Sequence, residues 1–146
     1  MIYQYKALLP NNKNFVRVYE VKAETTLYAF HLFLQNDLSF SPDQQVFFRT
    51  TDQTGKEIHE YGLFDLGSGS MDQVRLESLH KNGVRELHYL FDVFKGRYLT
   101  LQFEGEEDEL FRKTYPRTIL QRGENPDQFR EVAVEIDLNV EIIEDK

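Results

Sequence analysis

The chain has no cysteine and no tryptophan among its 146 residues, and only four prolines. Without cysteine there can be no disulfide, no thiolate nucleophile and no cysteine-based zinc or iron-sulfur site. The first fourteen residues also lack the apolar run of a secretory signal or a membrane span, because Lys6 and the turn-forming residues 11–14 interrupt them. We therefore expect a cytoplasmic protein that does not enter a membrane.

Positive charge is also scarce, with 17 lysines and arginines against 25 acidic residues and a formal net charge of -8. Such a charge repels a phosphate backbone at long range. The densest basic group, Arg112, Lys113 and Arg117, follows directly after the acidic run at 104–109. The sequence argues against nucleic acid as a partner, although a local basic patch remains an alternative.

Aromatic residues are plentiful, with 12 phenylalanines and eight tyrosines, and hydrophobic residues make up 40% of the chain. A chain of this length buries about two-thirds of the surface that its unfolded form exposes. We therefore expect one domain whose core is packed largely by aromatic rings.

The first half of the chain predicts a hairpin followed by a helix. Residues 2–9 and 15–21 are rich in β-formers, and the asparagine-rich turn 11–14 separates them. Thr25 or Thr26 can cap a helix over 26–37, in which apolar residues recur at the spacing of one helical face. The residues of this face are Leu27, Phe30, His31, Leu34 and Leu38.

The second half predicts more strands. Residues 46–50 and 56–61 flank a turn, and residues 87–93 and 99–103 alternate on either side of Lys95-Gly96, as in a hairpin. Residues 104–109 are expected to form an acidic bend, and residues 115–129 a loop. The sequence therefore predicts an α+β domain over residues 1–130, with a mainly antiparallel sheet, one principal helix packed on it and a ββαβ-type start.

Residues 131–146 predict a separate C-terminal strand with an acidic tail. Six aliphatic residues alternate strictly with mostly acidic ones. Such a strand must cover its apolar face and pair its backbone, either within its own sheet or with a second copy. We expect a homodimer or protein partner to bind through its aliphatic face, which consists of Val132, Val134, Ile136, Leu138, Val140 and Ile142.

Three residues are weak catalytic candidates. His31 could be a general base on the helix, although a hydrogen-bonded core histidine is the commoner arrangement. His88 and Asp92 lie four apart on one predicted strand and so share a side of the sheet. They could form a base and its orienting carboxylate only if a nucleophile came from elsewhere, and no motif supplies one. We therefore assign no catalytic residue.

No metal or cofactor is expected. His59 and His80 lie in polar segments, and no histidine has a metal-ligand spacing to another ligand residue. The acidic run 104–109 lacks the ordered loop of a calcium site. The chain also has no phosphate-binding glycine motif and no G-x-S-x-G motif.

A series of short motifs does have a recognisable order over about residues 1–130. It resembles that of the plasmid pRiA4b ORF-3-like family, which also occurs as resolvase-like passengers of insertion elements. The resemblance implies a compact α+β fold and supplies no established activity. The residues that carry it are Phe15 and Arg17, Thr26-Leu27, Phe30-His31, Phe40, Leu76 and Leu79, Tyr89, Phe91 and Asp92, Tyr115-Pro116-Arg117, Gly123-Glu124 and Pro126-Asp127.

The departures from that family matter as well. Phe94, Lys95 and Gly96 stand where the family has a glycine and two acidic residues, so an acidic site is lost there. Gln128-Phe129 replaces a glycine pair. The sequence therefore favours a non-enzymatic binding or protein-interaction domain. An enzyme with a His/Asp pocket and a nucleic-acid accessory protein of a mobile element remain the alternatives.

Overall fold

A computed structural model describes residues 1–51 and 58–128 of the chain. The predicted C-terminal strand over 131–146 and its six aliphatic residues lie outside this described part. The elements, in chain order, are β1 (Ile2–Leu9), β2 (Asn12–Lys22), α1 (Leu27–Asp37), β3 (Phe47–Thr51), β4 (Ile58–Gly62), a 3-10 turn (Met71–Gln73), α2 (Leu76–Lys81), β5 (Glu86–Asp92), β6 (Arg97–Glu107) and β7 (Arg117–Arg122).

All seven strands form one sheet in the order β4-β3-β5-β6-β1-β2-β7, and every paired neighbour is antiparallel. The predicted α+β class with a mainly antiparallel sheet is confirmed, as are the hairpins β1–β2 and β5–β6.

Two predictions were wrong. The expected acidic bend is largely the end of β6, and the expected loop at 115–129 contains the edge strand β7.

Helix α1 begins where the sequence predicts. The side chain of Thr26 caps it by accepting a hydrogen bond from the Ala29 N–H at 3.1 Å. The predicted apolar face is buried throughout, from Leu27 to Leu38. Its rings and aliphatic side chains pack against the sheet, where Phe30 stacks on Phe48 with ring centroids 6.1 Å apart.

The sheet has two different faces because successive strand residues point to opposite sides. On the covered face, both helices bury their apolar side chains against one aromatic cluster. On the opposite, open face, the same strands carry mixed polar and apolar residues. The tyrosines and phenylalanines that build the cluster on the covered face of the strands are Tyr3, Tyr5, Phe15, Tyr19, Phe48, Tyr61, Tyr89 and Phe91.

Neither helix of the described residues is long and apolar enough to cross a membrane.

Candidate functional site

His31, the first catalytic candidate, is a buried link between helix and sheet. Its side chain is only 4% exposed, and its Nδ1 lies 2.7 Å from the hydroxyl of Tyr89 on β5. Burial lowers the pKa of His31 and raises the pKa of Tyr89. The imidazole is therefore neutral at pH 7, and its hydrogen bond joins α1 to the middle of the sheet.

His88, the second candidate, lies on the open face. Its Nε2 is 2.9 Å from a carboxylate oxygen of Glu86, two residues earlier on β5. Its ring stacks on Tyr98 of β6 at a centroid distance of 4.3 Å. These are cross-strand and same-strand contacts of the kind that stabilise a sheet surface. His31 and His88 are thus on opposite faces of the sheet and cannot act on one substrate atom.

Asp92, the third candidate, contacts an arginine instead of His88. The register of β5 against β6 shifts between Leu90 and Asp92. One Asp92 carboxylate oxygen accepts from Arg97 Nε at 3.0 Å, and the other accepts from the Lys95 N–H at 3.1 Å. The two residues that the sequence suggested as a base and its orienting carboxylate therefore have separate partners, and no described hydrogen bond joins them.

Arg17 is the most deeply buried charged residue of the described chain, at 1% exposure. Its guanidinium donates to the Arg122 carbonyl at 2.7 Å, to the Gly123 carbonyl at 2.9 Å and to Asn125 Oδ1 at 2.9 Å. It also lies over the ring of Phe15, 4.3 Å from the centroid. Arg17 therefore fastens the segment after β7 to the covered face.

Gly123 is required at this junction for two reasons. Its φ of +83° is a conformation that side chains with a Cβ rarely adopt. A Cβ at this position would also lie 2.5 Å from the carbonyl oxygen of Asn14. The resemblance motifs at Phe15-Arg17 and at Gly123, far apart in the sequence, thus meet in one contact.

The segment 123–128, which we call the tail, runs from β7 to the end of β5. Arg97 Nη2 donates to the carbonyls of Asp127 and Gln128 at 2.6 and 2.7 Å. The Gln128 side chain is buried, donates to the Phe91 carbonyl at 3.0 Å and accepts from the Ser41 N–H at 2.7 Å. The tail is therefore fixed at both ends, by Arg17 and by Arg97 with Gln128.

A carboxyl pair on the open face was missed by the sequence reasoning. Glu20 is only 5% exposed and accepts from Arg117 Nε at 2.7 Å. Burial raises the pKa of Glu20, but the hydrogen bonds from Arg117 and Glu107 lower it by more, so its pKa is below the usual value. The hydrogen bond to Glu20 and the charge of Glu20 raise the pKa of Glu107. Glu20 on β2, Glu107 on β6 and Arg117 on β7 therefore form one cluster that links the three strands. Its members come from three distant segments, so no local motif could have revealed it.

The outer edge of β7 and the loop before it form a basic, partly apolar surface, which we call the β7 edge (residues 110–122). It carries four cations and no acidic residue, in a chain of net charge -8. Its exposed apolar side chains include Phe111, at 99% exposure, and Leu120, at 48%. β7 is the last strand of the sheet, so its outer backbone groups have no strand partner in the described chain.

Among residues 1–51 and 58–128, no group of three or more histidine, aspartate or glutamate side chains could hold a metal ion.

No family model matches this chain, and no curated protein is significantly similar to it in sequence. Its fold is similar to the crystal structure of a protein of unknown function from Methanosarcina mazei Go1, with a TM-score of 0.73 and 12% sequence identity. The similarity covers 86% of this chain and 71% of that chain. At this identity, the likeness shows a shared fold alone.

Proposed function

We propose that the chain is a non-catalytic protein-interaction domain. One observation carries the proposal: each candidate catalytic side chain already has a hydrogen-bond partner within the chain, and the three lie far apart from one another. His31 bonds Tyr89, Asp92 bonds Arg97, and His88 bonds Glu86. A catalytic base needs a free lone pair near a reacting atom, together with a nucleophile or a polarising group. These three residues are instead spread over two faces and one end of the sheet.

The distribution of exposed apolar residues supports the same proposal. Large apolar side chains are exposed near both edge strands, with Ile58, Leu63 and Phe64 at β4 and Phe111 and Leu120 at β7. Exposed apolar side chains beside an unpaired strand edge are typical of surfaces that add a further strand or bind a partner.

We further propose that the chain is related to the plasmid pRiA4b ORF-3-like family. The residues of that resemblance have structural roles that a shared fold would need. Arg17 packs on Phe15 and binds the carbonyl of Gly123, while Asp92 binds the arginine that fixes the end of the tail.

The test of the proposed function is a broad screen for hydrolase and transferase activity. The wild type is compared with His88→Ala and with Asp92→Asn, which removes the carboxylate but keeps one oxygen that can accept from either the Lys95 N–H or Arg97. We expect no turnover from any of the three proteins. A reproducible wild-type turnover that is lost in either variant would establish an enzyme and refute the proposal.

A nucleic-acid accessory role is the second candidate, because the β7 edge concentrates four cations. Binding through phosphates must weaken steeply as salt rises. Titration of duplex and single-stranded DNA over a series of ionic strengths decides between the candidates. Tight binding at low salt that falls steeply with added salt would favour this role, whereas we expect no measurable binding even at low salt.

A further inference from the structure

We infer that the β7 edge is the docking site for the acidic alternating segment 131–143 of a second copy of this chain. The inference rests on the proposed interaction function and names its site and partner. Three observations lead to it: the free edge of β7, the charge of the two segments, and the position at which the tail ends.

The free edge provides the backbone partner. β7 pairs with β2 on one side only, and β2 pairs with β1 on its other side. An added strand would hydrogen-bond to the outer backbone groups of β7, as in other cases of strand addition. It would also cover Ile119 and Leu120, which are 41% and 48% exposed.

Charge selects the acidic segment as the partner. Residues 110–122 contain Arg112, Lys113, Arg117 and Arg122 and no acid, whereas residues 131–146 contain six acids and one lysine. Arg117 is already paired with Glu20, so the other three cations carry the complementarity. Opposite charges on neighbouring strands stabilise their pairing, and like charges oppose it. The chain as a whole is strongly acidic, so this basic stretch is the part of the surface that suits an acidic strand.

Side-chain alternation gives the pairing a consistent geometry. Arg117 pairs with Glu20 of β2, and Arg122 pairs with Val16. Glu20 and Val16 are four residues apart on β2 and therefore share the open face, so both arginines lie on that face as well. In the segment, Glu135 and Glu141 share one side of the alternation, and the aliphatic residues share the other. With its acids beside the arginines, the segment directs its aliphatic residues to the covered face. There they extend the packing beyond Tyr19 and Phe33, whose rings are in T-shaped contact.

The end of the tail favours a segment from another copy. Gln128 is fixed to the Phe91 carbonyl of β5, and three strands separate β5 from β7. The outer side of β7 is then five strand spacings away, or about 24 Å. A chain needs about seven extended residues to cover that distance. Return to its own β7 would therefore consume Val132 and Val134, whereas a neighbouring copy can offer the whole segment.

The other edge, β4, is closer to Gln128 but lacks matching charge. The only charged residue of β4 is Glu60, and that carboxylate lies 3.5 Å from Arg49 Nε in an ion pair. An acidic strand placed there would meet Glu60 without a spare arginine on β4. Reciprocal exchange between two copies uses both β7 edges and closes the assembly as a symmetric dimer.

The test is a charge exchange in the full-length chain, measured by sedimentation equilibrium at low and high salt. The edge-reversed variant carries Arg112→Glu and Arg122→Glu, and the segment-reversed variant carries Glu135→Lys and Glu141→Lys. A control variant, Lys81→Glu with Lys95→Glu, has the same net charge as the edge-reversed variant but changes α2 and the β5–β6 turn.

We expect the wild type and the control to dimerise, and each reversed variant to dimerise at least tenfold more weakly. An equimolar mixture of the two reversed variants should form a heterodimer, because each edge then meets a segment of opposite charge. A monomeric wild type, an edge-reversed variant as tight as the wild type, or equal weakening in the control would refute the inference. These sedimentation results test only the docking site, whereas the proposed non-catalytic function is refuted only by turnover in the activity screen, so the two can fail separately.

Discussion

The two faces of the sheet use the same strands for different purposes. On the covered face, the rings of Tyr5 and Tyr19 both contact the ring of Phe30, and all three are almost fully buried. On the open face, neighbouring positions carry ion pairs and partly exposed rings such as the His88–Tyr98 stack. Exposed positions on the open face should therefore tolerate change at small cost, whereas its buried positions, such as Ile2 and Glu20, should not. The four predictions that follow measure this difference.

The largest effect is expected on the covered face, from Leu34→Ala. Leu34 is fully buried in the aromatic cluster, so its truncation leaves a cavity and costs about 2–5 kcal/mol of unfolding free energy. Leu32→Ala on the same helix is the matched control, because Leu32 is 43% exposed and should cost under about 1 kcal/mol. Urea titration measures both, and equal losses would show that α1 is not held by this face.

The next largest effect is expected from Arg17→Ala. It removes the donors that satisfy the Arg122 and Gly123 carbonyls, and charged hydrogen bonds of this kind are worth about 1.5–3 kcal/mol. The variant should lose about 3 kcal/mol and expose the tail to limited proteolysis. Arg112→Ala, an exposed arginine on the β7 edge, should change stability by under about 0.5 kcal/mol. A wild-type-like stability of Arg17→Ala would mean that the tail is fixed by Gln128 and Arg97 alone.

A smaller effect on the covered face depends on pH. Burial lowers the pKa of His31 in the folded chain, so below about pH 6.5 the unfolded chain binds more protons than the folded one. His31 therefore makes stability fall as pH drops through that value, with a slope of at most about 1.4 kcal/mol per pH unit. His31→Gln should flatten the slope between pH 7.5 and 5.5 in denaturant titrations. His80, whose pKa burial also lowers, is tested separately with His80→Gln.

The smallest effect is expected on the open face. Lys22 and Glu109 form an ion pair at 3.5 Å, and both side chains are more than 40% exposed. Such surface pairs contribute about 0.5 kcal/mol or less and weaken as salt rises. Lys22→Ala should therefore be indistinguishable from the wild type at moderate salt in thermal unfolding. A loss as large as that of Arg17→Ala would remove the contrast between the two faces.

The sequence predicted the elements whose signals are local. The helical face of α1 and the alternation of β5 and β6 depend on neighbours within a few residues, and both were confirmed. β7 was missed because Pro116 and Gly123 flank a strand of only six residues without strict alternation. This segment is a strand because it pairs with β2, about 100 residues earlier in the sequence, and no local pattern shows that pairing.

The contacts of the candidate site were harder to predict, because its residues form hydrogen bonds with residues that are distant in the sequence. Tyr89 is 58 residues from His31, and Arg122 is 105 residues from Arg17. The spacing of His88 and Asp92 correctly places both on one strand, but it could not show the register shift before Asp92 or the arginine beyond it. Local sequence patterns therefore identified candidate residues but could not predict which residues they contact.

The pairing of β2 with β7 also has a consequence for how the chain folds. Val16 pairs with Arg122, so that ladder closes a loop of more than a hundred residues, and the β1–β6 ladder closes one nearly as long. Sheets dominated by such non-local pairs fold in milliseconds to seconds, since the entropy of closure is lost before the contacts form. We expect the local hairpins to form early and β7 to join late. During synthesis, the β7 edge and its arginines emerge only after most of the sheet has been made, so an unpaired β2 edge is exposed in every nascent chain.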